Sequence, residues 1–272
     1  MQEKRKSLFL RIKGYFQDRA RLWVYHQAQS KILVRTSKLY PEEWAFLALS
    51  EWEKKRKELE EELRKIKKRR FLSQVRIEVN GERFRVKYYS YRHRFFHLLE
   101  NLAYQSEGMR NFNTLLYLVD KEVLVPKPLV LVEPCLGRIA LESVLILQDL
   151  EPAYSYREML EMLGDQPEEL WNFLVQLMGS LARFHLARVY NRDTDKNLLI
   201  KKREDKYQFY YFDFDNVFFW RAVSQRRVAQ TLRHLLHNRR LKLTPEQIQA
   251  LVSIYLEQAN KTRWRKSLLK KI

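Results

Sequence analysis

The chain has 272 residues, 46% of them apolar and 31% charged, enough to bury a sizeable core in one large domain or two lobes and too apolar for a disordered tail. Its formal charge of +19, with a pI near 9.9, draws it toward anionic partners such as phosphorylated lipid, a membrane surface or nucleic acid. Cys135 is the only cysteine, which excludes a disulfide framework and a cysteine-based zinc site and makes the cytoplasm the expected compartment.

The longest apolar runs, "PLVLVE" and "SVLILQ", are far short of the roughly 20 residues that span a bilayer. The opening "MQEKRKSLFLRIKGYF" is basic, is soon interrupted by charge and lacks a small-residue cleavage site, so it does not read as a signal peptide. Pro41 is the expected first residue of a long charged helix over 41–70, with a thin apolar seam of Trp52, Leu59, Leu63 and Ile66. Next, "QVRIEVNGERFRVKYY" alternates on both sides of Asn80-Gly81, a hairpin signal that puts Lys87 on the second strand. A helical stretch over about 92–120 follows, and then two strands in "VLVPKPLVLVE" and "IALESVLILQDL". From Glu168 the period becomes helical, with Leu170, Leu174, Leu177, Met178, Leu181 and Phe184 on one face. "NLLIKK" and "YQFYYF" read as short strands around "REDK", and Thr244-Pro245-Glu246-Gln247 opens a C-terminal helix with a capping box.

The segment "VYNRDTDKNLLI" (189–200) places acids where the helix gives way to a strand. If the two short strands pair antiparallel, Asn197 lies beside Asp213, with Asp193 just upstream. A few hard oxygen donors with room for water and phosphate suit magnesium better than zinc, which points to phosphoryl transfer. In that chemistry a metal and a lysine, here Lys87, steady the nucleotide phosphates while an aspartate accepts the proton of the attacking hydroxyl.

"YNRDTDKN" is similar to the kinase catalytic loop H-R-D-x-x-x-x-N, and "DFD" at 213–215 to D-F-G. With "VPKPLVLVE", "FHLARVYNRD" and "FDFDNVFF", the chain resembles the lipopolysaccharide kinase family over about residues 75–240. These bacterial enzymes have a protein-kinase-like fold and phosphorylate heptose or Kdo sugars of the inner core. The resemblance implies an α+β, two-lobed fold, a strand-rich N-lobe (71–150) and a helical C-lobe (151–272); residues 1–70, outside the resemblance, are expected to form a basic helical extension. The resemblance implies ATP and Mg2+ as cofactors, Asp193 as catalytic base, Arg192 as the residue that orients its loop, and Asn197 and Asp213 as metal ligands. It also implies that Lys87 contacts the phosphates and that backbone groups near Gln148 and Asp149 meet adenine.

The departures are specific. Asn191 stands in place of the motif's histidine, and Asn197 follows Asp193 by four positions instead of five. Asn111 occupies the place of the lysine's acidic partner, with Glu107 one turn earlier as the substitute. No G-x-G-x-x-G precedes the hairpin. A catalytically weak or regulatory kinase fold and a phosphotransferase acting on a small alcohol stay open for these reasons, and the basic, aromatic-rich composition keeps a nucleic-acid-binding protein as a third class. Since most of those aromatics fall in patterns that predict burial, no nucleic-acid partner is expected. "NVFFWRAVSQRRVAQTLRHLL" passes quickly into a basic helix and leaves no peptide platform, so the expected acceptor is an anionic glycolipid, the lipopolysaccharide core. The basic ends, "KRKSLFLRIKGYF" and "KTRWRKSLLKKI" with Trp264, Leu268 and Ile272, suggest peripheral contact with the inner face of the cytoplasmic membrane, or ordinary helices docked on the fold.

Overall fold

A computed structural model describes residues 20–27, 30–59, 71–91, 105–136, 139–204, 206–214 and 223–272. The chain divides into two compact units, one built from residues up to Tyr117 with Pro126–Asp149, the other from Leu118–Val125 with Leu150–Ile272.

The first unit is a seven-stranded sheet with helices. Its strands are β1 (Ala20–Gln27), β2 (Ser30–Ser37), β3 (Phe71–Val79), β4 (Glu82–Ser90), β5 (Pro128–Leu136), β6 (Ile139–Ala140) and β7 (Glu142–Gln148). The order is β1-β2-β5-β7-β4-β3, with β6 paired to β5. The β3–β4 hairpin turns at Asn80 and Gly81, both at positive φ (51° and 78°), the conformation for which Asn-Gly is favoured. The sheet departs from the sequence-based expectation at the start of the chain, where residues 20–37 form strands instead of a helical extension. "LWVY" and "KILV" are rich in the β-branched and aromatic residue types that favour strands, and β2 pairs with β5 from Ser30↔Leu136 to Thr36↔Val130. These residues are therefore part of the sheet and not an appendage to it.

Helix α1 (Glu42–Glu58) starts one residue later than expected, with Pro41 at the N-cap. Its buried residues are Ala45, Ala48 and Trp52, which join Val34, Ile77, Phe84, Val86, Tyr88 and Ile146 in one core cluster. The small alanines bring the helix axis close to the sheet, and the Trp52 ring lies 6.2 Å from that of Tyr88. Of the expected seam, Trp52 is buried and Leu59 packs against the cluster, while Leu63 and Ile66 lie outside the described residues. Strand alternation gives β4 a second face, carrying Lys87, Tyr89 and the following Tyr91. Helix α2 (Glu107–Asp120) lies against that face: Asn111 Nδ2 donates to Tyr89 Oη at 3.1 Å and the Gly108 amide to Tyr91 Oη at 3.2 Å. Residues 92–104, the start of the expected helical stretch, lie outside the described residues.

The start of α2 is tied down by a buried polar group. Ser106 Oγ accepts from the Met109 amide (3.0 Å) and bonds Glu133, which also accepts from Ser143 Oγ at 2.7 Å. Burial holds the Glu133 carboxyl above the ordinary carboxylate range, against the pull of these hydroxyls and of Arg35. Gly108 rests directly on Ser143, for a Cβ there would come within 2.5 Å of the Ser143 Cβ.

The second unit contains α3 (Tyr156–Leu163), α4 (Pro167–Leu186), α5 (Gln225–Leu236), α6 (Pro245–Gln258), a 3-10 turn (Thr262–Trp264) and α7 (Arg265–Leu269). A small sheet, ordered β10-β9-β8, is made by β8 (Tyr154–Ser155), β9 (Leu198–Arg203) and β10 (Lys206–Tyr211). Helix α4 buries Leu174, Leu177, Met178, Leu181 and Phe184, as its period predicts, whereas Leu170 is half-exposed. Phe184 stacks on Tyr211 with centroids 4.1 Å apart, joining helix to hairpin. Capping boxes at Ser155/Glu158 and Thr244/Gln247 open α3 and α6. In the C-terminal stretch Leu268 is fully buried and α7 packs on α5 and α6, so the middle of the expected membrane-facing stripe is held by the protein itself. The N-terminal basic stretch lies outside the described residues, and among those described no helix is long and apolar enough to cross a membrane.

Two predictions follow from this packing. Gly108→Ala should cost about 1–3 kcal/mol in urea unfolding, because the backbone-borne methyl has to push α2 away from Ser143. His185 is buried with Nδ1 2.8 Å from Tyr255 Oη, and burial depresses its pKa to about 3. The folded imidazole is therefore neutral, while the unfolded one takes up a proton below about pH 6.5. Stability should be complete above that pH and drain as pH falls from there toward 3, by about 2 kcal/mol between pH 7 and 5. Denaturant unfolding of His185→Phe should show a shallower loss over the same interval.

Candidate active site

The loop after α4 is organised by one side chain. Asn191 is buried; its Oδ1 accepts from the Asp193 amide (3.1 Å) and from Asn197 Nδ2 (3.3 Å), and its Nδ2 donates to the carbonyls of Phe212 (3.3 Å) and Asp213 (3.2 Å). Its own carbonyl accepts from Thr194 Oγ1 at 2.7 Å. The loop then closes as a tight turn, with the amides of Lys196 and Asn197 each donating to the Asp193 carbonyl at 3.0 Å. The spacing of four between Asp193 and Asn197 is thus one hydrogen-bonded turn.

β9 and β10 pair antiparallel from Leu198↔Tyr211 to Arg203↔Lys206, and the Phe212 amide donates to the Asn197 carbonyl at 3.1 Å. Asn197 and Asp213 consequently occupy neighbouring strand-end positions, as the sequence suggested. Asp213 has φ +60°, the left-handed region that costs an L-residue about 1–2 kcal/mol and that Asp and Asn tolerate best. Both residues are half-buried, whereas Arg192 and Asp193 are exposed. Since the Asn197 amide nitrogen is turned to Asn191, its oxygen is the end suited to a cation. Among the described residues no group of three or more His, Cys, Asp or Glu could hold a metal. One carboxylate and one amide oxygen fit Mg2+, which takes few protein ligands and completes its shell with water and phosphate. Asp215 lies outside the described residues.

The first unit holds the remaining expected residues. Lys87 is buried on β4, paired with Leu145 of β7, and Glu107 is buried at the start of α2. Gln148 ends β7. Its amide donates to the Lys127 carbonyl and that of Asp149 to the Arg83 carbonyl, each at 2.9 Å, so neither of these two amides is left for an adenine at this strand end. The Asp149 carboxylate is fully shielded and paired with Arg76 Nε (3.1 Å) and Arg85 Nη2 (3.2 Å), which fixes the strand end to the β3–β4 hairpin.

A strand-rich unit with a buried lysine on a strand face covered by a helix, followed by a helical unit with a hairpin, is a protein-kinase-like arrangement, and the chain has that fold. Among solved structures it is similar to one described as WaaP in complex with acyl carrier protein, at 15% identity over 75% of this chain and 85% of that one, with a TM-score of 0.51. A second is the Rio2 kinase–ADP/Mg2+-phosphoaspartate complex from Chaetomium thermophilum, at 12% identity over 96% of this chain and 72% of that one, with a TM-score of 0.36. No protein-family model and no curated protein matches the chain.

In the sequence Asn191 stands out only as a departure from the motif's histidine, and nothing local announces the four bonds it makes. The signal available was chemical: an amide offers two donors and two acceptor sites, a neutral imidazole one of each. Asn191→Asp is nearly isosteric but removes both donors and faces a carboxylate to two carbonyls. It should cost about 1–3 kcal/mol in denaturant unfolding and speed amide exchange at Asp193 and Phe212.

Proposed function

We propose that the protein is an ATP- and magnesium-dependent phosphotransferase that phosphorylates a sugar hydroxyl, with heptose or Kdo of the lipopolysaccharide inner core as the acceptor. The observation that carries the reading is the set of four hydrogen bonds from one amide to Asp193, Asn197, Phe212 and Asp213. They hold an exposed carboxylate and a metal-type oxygen pair in one arrangement, in a chain whose fold is kinase-like.

In this reading Asp193 accepts the acceptor hydroxyl's proton as its oxygen bonds the γ-phosphorus. The bond from that phosphorus to the β,γ-bridging oxygen breaks and ADP departs. Magnesium, when bound, neutralises charge on the transferring phosphates. Asn197 and Asp213 would hold it, Arg192 would orient the loop, and Lys87 would meet the phosphates, with Glu107 as the lysine's candidate partner. The basic surface suits an acceptor that is itself anionic and presented at the cytoplasmic face of a membrane. The shortened turn between Asp193 and Asn197 supports a second reading, a kinase fold that binds nucleotide without transferring phosphate.

The test is phosphate transfer from labelled ATP to core oligosaccharides and to small alcohols, in wild type and in Asp193→Ala, Asp213→Asn and Lys87→Ala. Transfer to the oligosaccharide should fall by about 10²-fold or more in Asp193→Ala, since a positioned general base contributes about 10²–10⁴. Asp213→Asn, which keeps the backbone conformation, should raise the Mg2+ requirement. Nucleotide binding without transfer to any acceptor would favour the second reading, and absence of nucleotide binding would overturn both.

A further inference from the structure

Near the Asp193 loop the second unit carries a guanidinium, that of Arg227, which the catalytic set does not use; it rests on the ring of Tyr190, and Arg192 lies two residues along the chain from that ring. Tyr190, three residues before Asp193, is half-buried, and its hydroxyl donates to Gln230 Oε1 of α5 at 3.1 Å. The Arg227 guanidinium, from the first turn of α5, lies over the Tyr190 ring with Cζ 5.1 Å from the centroid. A flexible side chain is thereby given a fixed seat. Arg192 and Asp193 are also close enough for their charges to act on the Tyr190 hydroxyl: burial raises its pKa, the two arginines oppose that rise, and Asp193 adds to it. Among the described residues no carboxylate forms an ion pair with either arginine. Both side chains are exposed.

The helix context sharpens the contrast. The first turn of α5 contains Arg226 and Arg227 and no acid, although the positive end of a helix favours the opposite charge, and Ser224 makes no side-chain capping bond. Cations gathered at that point are unfavourable until an anion joins them. A guanidinium held over a ring still carries its fork of N–H groups, the donor set that takes phosphate or carboxylate oxygens in pairs.

We infer that Arg227, seated over the Tyr190 ring, and Arg192, two residues along the chain from Tyr190 and next to Asp193, form a subsite for an anionic group, phosphate or carboxylate, carried by the acceptor. The acceptor role rests on the phosphotransferase reading above, whereas the anion site does not. Arg227 would then be a specificity-determining residue, holding the acceptor by its charge while a neighbouring hydroxyl faces Asp193.

The experiment is a titration of the full chain with inorganic phosphate, and separately with acetate, at constant ionic strength, following the arginine Nε–Hε resonances by NMR. Arg227→Gln and Arg192→Gln assign the signals. The Arg227 resonance should shift saturably, and in Arg192→Gln the Kd read from it should rise by about tenfold or more, as expected for losing a charge-assisted contact. Saturation by phosphate alone identifies a phosphoryl group, and saturation by acetate as well admits a carboxylate. A shift that stays linear with both anions, or a Kd indifferent to Arg192, overturns the proposal. Saturable binding in a chain that transfers phosphate to nothing would sink the kinase reading and leave the subsite. Transfer without saturable binding at Arg227 would do the reverse.

Discussion

The Asn191 side chain uses both of its donors and both of its acceptor sites, and its partners come from two stretches of chain about twenty residues apart. On one side are the Asp193 amide and the Asn197 side chain, on the other the carbonyls of Phe212 and Asp213. Buried polar groups are costly when unmatched, so a fully satisfied amide at this point admits one arrangement of the loop and strand end. The left-handed backbone of Asp213, the turn from Asp193 to Asn197 and the seat of the exposed carboxylate all follow from it. A neutral imidazole could not fill four such roles, so the replacement of the motif's histidine is a change of wiring and not a loss.

The first unit solves a related problem with different means. A buried lysine needs a rigid surrounding, and here the rigidity comes from pressing α2 onto the strand face that carries it. Gly108 lets the helix touch β7, Ser106 caps it, and the Glu133–Ser143 group anchors the cap from below. On the opposite face α1 is drawn in by alanines. The sheet is therefore braced on both sides, and Lys87 sits on one of its inner strands.

Much of this was legible in the sequence where the signal is local. Asn80-Gly81 announced a hairpin, the period of 168–190 a buried helix, and the alternation around "REDK" a second hairpin that brought Asn197 to Asp213. The strands of residues 20–37 carry no glycine or proline between them to mark a hairpin, and the apolar seam of α1 looks thin because its buried face consists largely of alanine, which periodicity barely registers. Two features depend on partners far along the chain and leave no local trace. Asp149 is neutralised by arginines from a hairpin more than sixty residues earlier, and Tyr190 receives a guanidinium from a helix that begins thirty-five residues later.

The positive φ of Asp213 separates two requirements that usually coincide at one residue. The backbone asks only for a residue at ease in the left-handed region, which glycine and asparagine meet as well as aspartate does. The chemistry asks for a carboxylate. An exchange of Asp213 for glycine would relieve the conformation while abolishing the charge, so the proposed phosphoryl transfer could be lost without an intermediate that folds poorly. At this position, then, the stability of the fold and the presence of a carboxylate are separable, and selection on stability alone would not preserve the acid.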